Sequence, residues 1–142
     1  MSERSAKIKW LSQAYRLDQR INSKIDQMEH LRALATRITS HISDTPVSGS
    51  HNDHKMEDTI VKIIDLENNI NMNIDRLVDL KHDIMEAITA VEEPDLQLLL
   101  EKRYLNFQTW EQIAVDMNYS IDYVYKLHRQ ALDKVKIAKR VQ

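Results

Sequence analysis

Thr109-Trp-Glu-Gln-Ile-Ala-Val-Asp-Met-Asn-Tyr-Ser120-Ile-Asp-Tyr-Val-Tyr-Lys-Leu-His-Arg-Gln-Ala-Leu132 is the stretch that decides how this chain folds. Thr109 with Gln112 has the form of a capping box, in which a hydroxyl and a side-chain carbonyl each satisfy a backbone N–H left unpaired at a helix start. A helix from Trp110 to Met117 follows, with Trp110, Ile113, Ala114 and Met117 facing inward. Asn118 tolerates the left-handed backbone that closes such a helix, and Ser120 is a second N-cap. The next helix turns Ile121, Val124, Leu127, His128, Ala131, Leu132 and Val135 toward or near its buried side. Two short helices joined by a turn of about three or four residues make the helix-turn-helix arrangement. The small Ala114 suits a close crossing between them.

Upstream, Glu92-Glu-Pro94 ends one helix and opens another, because proline cannot continue a helix but suits its first turn. The helix it opens, about 94–104, carries Leu96, Leu99, Leu100 and Tyr104 on one face, which needs covering. Further upstream the apolar residues keep helical spacing over two long segments. Leu11, Ala14, Ile21, Ile25, Met28, Ala35, Ile38 and Ile42 form one stripe, widened by Trp10, Leu17, Leu31 and Leu34; Ile60, Ile63, Ile70, Ile74, Leu77, Ile84, Ile88 and Val91 form the other, flanked by Leu66 and Leu80. Between them, residues 43–55 hold the single Gly and one of the two Pro among Ser, Asn and Asp, which reads as a loop.

The expected fold is therefore all-α: a long antiparallel helical hairpin of coiled-coil type over 1–92, with helices at about 4–42 and 56–91 and a loop at 43–55, followed by a helix-turn-helix unit over 93–142. Helices of this length, roughly 50 Å at 1.5 Å per residue, usually bury a stripe against each other. Pairing within the hairpin and pairing with a second copy are both open to such stripes, so a homodimer through the hairpin is one expectation. Charges interrupt the stripes at Asp18 and Arg32 on the first helix and at Glu67 and Lys81 on the second. Folding about the loop sets Asp18 near Lys81 and Arg32 near Glu67, each pair of opposite sign. Such pairs add little net stability but penalise a slipped register.

Composition narrows the function classes. The absence of Cys removes disulfides, thiolate nucleophiles and Cys-based zinc sites. There is no Gly-rich phosphate loop, nucleophile elbow or paired-His hydrolase motif, so neither an enzyme nor a cofactor is expected. His51, Asp53 and His54 in the loop, and Asp79, His82, Asp83 and Glu86 along the second helix, read as solvated surface groups and not as metal ligands, because each set lies on one segment. No apolar run reaches the roughly 20 residues needed to span a bilayer, and a signal-peptide pattern is missing, which leads to the expectation of a cytoplasmic protein. Residues 1–95 carry 12 Lys/Arg against 17 Asp/Glu (−5), whereas residues 96–142 carry 8 against 5 (+3), with His128 able to add to that. A basic end on an acidic body is the charge outline of a protein that meets nucleic acid with one end.

The run from Leu98 to Val135, with Arg103-Tyr104 before an aromatic-containing break, Trp110-Glu-Gln-Ile-Ala114, a helix opened by Ser120, and Tyr123-Val-Tyr-Lys-Leu-His-Arg-Gln-Ala-Leu132, resembles region four of bacterial sigma factors. It looks most like the version in phage-encoded regulators of the ArpU and RinA type. The resemblance covers about residues 94–138, and the hairpin resembles the N-terminal part of the same regulators. It implies a sequence-specific transcription regulator that binds double-stranded DNA beside the nucleoid, acting with host RNA polymerase as an activator of phage late genes. Nothing resembles sigma region two, so a complete sigma factor is not implied. Exposed positions on the second helix, Ile121, Asp122, Tyr123, Tyr125, Lys126, Arg129 and Gln130, together with Ser120, are the expected groove contacts, and Arg103, Lys134 and Lys136 the expected phosphate contacts, with Arg129 also able to reach a phosphate. Asp122 can accept from a cytosine amino group and Lys126 can reach guanine O6 or N7. Where typical sigma factors place Arg, this chain has Ile and Tyr. Two alternatives remain: a phage packaging protein of the small-terminase type, in which the DNA-binding unit usually comes first, and a helical scaffold that binds protein only.

Overall fold

The computed structural model describes residues 2–44 and 49–137, with side chains 41–44 and 49–53 outside the description. Among the described residues six α-helices run in order: α1 Glu3–Leu11, α2 Gln13–Asp44, α3 Gly49–Thr89, α4 Pro94–Leu100, α5 Trp110–Met117 and α6 Ile121–Lys134. No strand occurs among the described residues, so the chain is all-helical. None of the helices is long and apolar enough to cross a membrane.

The first long helix is bent, which its unbroken periodicity did not signal. Ser12 separates α1 from α2 while its N–H still bonds to the Ile8 carbonyl and its own carbonyl accepts from Arg16. Helix α2 continues to Asp44 and α3 begins at Gly49, so helix replaces much of the predicted 43–55 loop. Residues 45–48 lie outside the described residues, as do the side chains of Ile42, His51 and Asp53.

Two compact units divide the chain. One comprises Asp18–Arg76; the other joins Met1–Leu17 to Leu77–Gln142. This division has a packing reason. The leucine face of α4 and the inner faces of α5 and α6 need more apolar cover than they supply to one another. Leu11 and Ala14 from the N-terminal helices and Ile84, Ile88 and Val91 from the end of α3 provide it, forming one core with Leu96, Leu99, Leu100, Tyr104, Ile113, Val124, Leu127, Ala131, Leu132 and Val135. At about 25 cal/mol per Å² of apolar area removed from water, such a core is the main stabilising term of the unit.

In the other unit, stretches of α2 and α3 lie side by side. Arg32 and Glu67 form an ion pair of 2.8 Å, the partnership expected from the sequence, and Lys24 Nζ donates to Asn69 Oδ1. The partner numbers run in opposite order, so the two stretches are antiparallel. Met28, Leu31, Ala35 and Ile38 on α2 and Ile63, Leu66, Ile70 and Asn73 on α3 are buried or half-buried at alternating spacings of three and four. Of the second expected pair, Asp18 belongs to this unit, where its Oδ2 accepts from Asn22 on the same helix, and Lys81 to the unit of Met1–Leu17 and Leu77–Gln142, where its Nζ lies 4.8 Å from the Phe107 ring centroid.

Candidate nucleic-acid interface

Helix α5 starts where the capping box puts it. Thr109 Oγ1 accepts from the Gln112 N–H at 3.2 Å, and Gln112 Oε1 accepts from the Thr109 N–H at 2.9 Å. The helix closes at Asn118, whose φ of 58° and ψ of 45° are left-handed. That conformation costs a residue with a bulky Cβ substituent roughly 1–2 kcal/mol but is accessible to Asn. Two residues later the Ser120 hydroxyl oxygen accepts from the Tyr123 N–H at 3.2 Å and opens α6. Thus three successive residues end one helix, turn the chain and begin the next.

Helix α6 divides cleanly into two faces. Val124, Leu127, His128, Ala131 and Leu132 are buried, while Asp122, Tyr123, Tyr125, Lys126, Arg129 and Gln130 are exposed and Ile121 is half-buried. No ion pair among the described residues engages Asp122, Lys126 or Arg129. Apart from half-buried Ile121, the expected groove residues of α6 therefore share one solvent-facing side of a capped helix. The tyrosines are held rather than free: the Tyr123 ring stands edge-on to Tyr119 at 4.8 Å, and the Tyr125 ring edge-on to Trp110 at 5.6 Å. Tyr119 donates its hydroxyl proton to Asp95 at 2.8 Å, which raises its pKa. The α6 surface is thereby fixed to the start of α4.

Behind this face lies a buried polar cluster. The Tyr104 hydroxyl and His128 Nε2 share a hydrogen bond of 2.6 Å, and the Trp110 ring stands 4.5 Å from the imidazole. Burial, with Arg103 and Arg129 nearby, pushes the His128 pKa down to about 4. His128 is consequently neutral at pH 7, which corrects its expected addition to the positive charge. Burial pushes the Tyr104 hydroxyl up to about 12, against the opposing pull of Arg103.

Arg103 is similarly committed. Its guanidinium lies 4.4 Å from the Trp110 ring centroid and donates to the Gln108 carbonyl at 3.0 Å. These contacts fix the break before α5, so the structure gives Arg103 a supporting place and not a position on the open face. Of the other phosphate candidates, Lys136 is exposed, and Lys134 is exposed with its ammonium 3.6 Å from Glu93 Oε1. Lys139 and Arg140, which contribute to the basic balance of this end, lie outside the described residues.

The break itself holds two features that composition does not reveal. Residues Glu101–Leu105 form a π-helical turn, closed by the Asn106 N–H on the Glu101 carbonyl at 3.0 Å. Phe107 then takes a positive φ of 58°, and its ring is held edge-on to Tyr15 at 5.4 Å and beneath Lys81. Sequence reasoning also missed the tie between α1 and the end of α6. Lys7, buried, donates to the Leu132 carbonyl at 2.8 Å, and Arg4 makes two bonds of 2.9 Å to Asp133. Nothing local marks such contacts between opposite ends of a chain.

Among the described residues no group of His, Asp and Glu is arranged to hold a metal ion; His82 Nε2 is instead 3.0 Å from Glu86 Oε1 along α3. A family model described as "Protein of unknown function (DUF1492)" matches residues 37–136. No curated protein and no solved structure matches the chain.

Proposed function

We propose that this chain, which belongs to the DUF1492 family, is a sequence-specific DNA-binding transcription regulator whose α5 and α6 form a helix-turn-helix unit. The observation that carries the reading is the solvent-facing side of α6. It is a polar and aromatic surface, opened by an N-cap, on a helix whose opposite side is fully buried. A recognition helix meets base edges with its N-terminal turns, and here those turns present Ser120, Ile121, Asp122, Tyr123, Tyr125 and Lys126. Arg129 and Gln130 extend the same surface, and Lys134 and Lys136 supply phosphate contacts. The antiparallel helices of the Asp18–Arg76 unit act as a coiled-coil hairpin through which the regulator engages RNA polymerase or another copy. The sequence resemblance of about residues 94–138 to sigma region four supports an activator of phage late genes in the host nucleoid.

Because Ile and Tyr stand where typical sigma factors place Arg, sequence preference rests on Lys126, Asp122 and aromatic contact with thymine methyls. Fluorescence anisotropy on duplexes from the promoters of the source genome tests this. Lys126→Ala and Tyr123→Ala each weaken binding about fivefold or more and relax preference at one base position, as expected for a loss of about 1–3 kcal/mol per base contact. Unchanged affinity and preference in both variants would remove α6 from the groove.

A further inference from the structure

Helix α3 carries a second apolar stripe, separate from the one turned toward α2. Ile60, Ile64, Ile74 and Val78 are 45%, 48%, 41% and 62% exposed. Together with Glu67 and Asn71 they recur at steps of four, three, four, three and four residues along one continuous helix. Residues so spaced share a side of the helix. Ile63, Leu66 and Ile70, which lie buried or half-buried, belong to the neighbouring side.

The stripe reads alike in both directions: two apolar residues, two polar residues, two apolar residues. That symmetry selects its partner. Laid antiparallel against the same stripe of another copy, Ile60 meets Val78, Ile64 meets Ile74 and Glu67 meets Asn71, with every pairing made twice about a two-fold axis. A parallel copy would set Glu67 against Glu67. An unrelated apolar helix would leave the two central polar residues against hydrocarbon. The carboxylate at the centre is already paired with Arg32 at 2.8 Å, so closing the contact buries no uncompensated charge. Isologous contacts of this kind are the commonest route to a homodimer.

We propose that this stripe is a homodimer interface, in which the α3 helices of two copies pack antiparallel with their two-fold axis midway between Glu67 and Asn71. The pairing stands on the α3 pattern and is independent of DNA binding.

Sedimentation equilibrium on the full chain tests it, with far-UV circular dichroism confirming that each variant keeps its helix content. The wild type is dimeric. Ile64→Lys and Ile74→Glu each raise the dimer dissociation constant at least tenfold, and the double variant recovers the dimer because each new charge then faces its opposite on the other copy. Val61→Lys and Met72→Lys, at exposed positions off the stripe, leave the dimer intact. If a single charge variant loses helix content, Val78→Ser, at the most exposed of the four apolar residues of the stripe, reads the same equilibrium. A monomeric wild type, a ring of many copies, single variants that remain dimeric, or a double variant no tighter than the singles would each overturn the proposal.

Discussion

Burial of the His128 ring between Tyr104 and Trp110 makes the C-terminal helices sensitive to acid. With a folded pKa of about 4 against an ordinary value of 6.5, the unfolded chain binds the proton more readily than the folded one between those two values. The contribution of neutral His128 is therefore fully present above pH 6.5 and is lost as pH falls toward 4, by at most about 3 kcal/mol. His128→Gln, which keeps a hydrogen-bonding group for Tyr104 without titrating, should flatten that limb of the stability profile in urea melts at stepped pH. An equally steep limb in the variant would assign the acid sensitivity to other groups. Asn118 offers a backbone counterpart. Its left-handed conformation predicts that Asn118→Gly leaves the thermal midpoint nearly unchanged, whereas Asn118→Val lowers stability by about 1–2 kcal/mol or more. Equal melts for the two would mean that the turn does not depend on this residue.

The helices that were legible in the sequence are those whose ends carry their own chemistry. Thr109 with Gln112, Asn118 and Ser120 each act within a few residues of where they stand, and Pro94 stops and starts helices by covalent geometry, so α4, α5 and α6 lie close to where local pattern placed them. The bend at Ser12, the π-helical turn at Glu101–Leu105 and the early start of α3 at Gly49 carry no such marker in the residues around them. Among the candidate site residues, the exposed face of α6 was legible from periodicity. The commitment of Arg103 to Trp110 was not, because a cation's aromatic partner seven positions along the chain is set by how the break folds. The tie from α1 to α6 belongs to the same unreadable class. Lys7 places a buried ammonium on a carbonyl at the C-terminal end of α6, where a positive charge also complements the helix dipole. Lys7→Met should lower stability by about 1–3 kcal/mol, the cost of a lost charged hydrogen bond, while Lys9→Met on the exposed side of α1 should have little effect. Indistinguishable denaturation curves for the two would show that α1 is not anchored through Lys7.

At the scale of the molecule, the division into two units sets the account's shape: one unit buries the face behind α6, and the other pairs α2 with α3 and carries most of an uncovered stripe. The charge asymmetry is legible from composition, and the exposed Lys and Arg among residues 96–137 are Lys126, Arg129, Lys134 and Lys136, with Lys102 half-buried 3.5 Å from Asp116 and Arg103 half-buried against Trp110. With Lys126 on a base edge, phosphate contacts by Arg129, Lys134 and Lys136 at about 0.9 counterion each contribute about −3 to the slope of log affinity against log salt for each bound copy. Lys134→Ala should make it shallower by about one, with affinity falling evenly on all sequences. An unchanged slope would place Lys134 away from DNA. The most direct measurement is selection of duplexes from a random pool by the full chain, followed by titration of the recovered site against a scrambled one. A discrete motif is expected, bound at least a thousandfold more tightly than the scrambled duplex at about physiological salt. Recovery of no motif, or equal affinity for both duplexes, would contradict it.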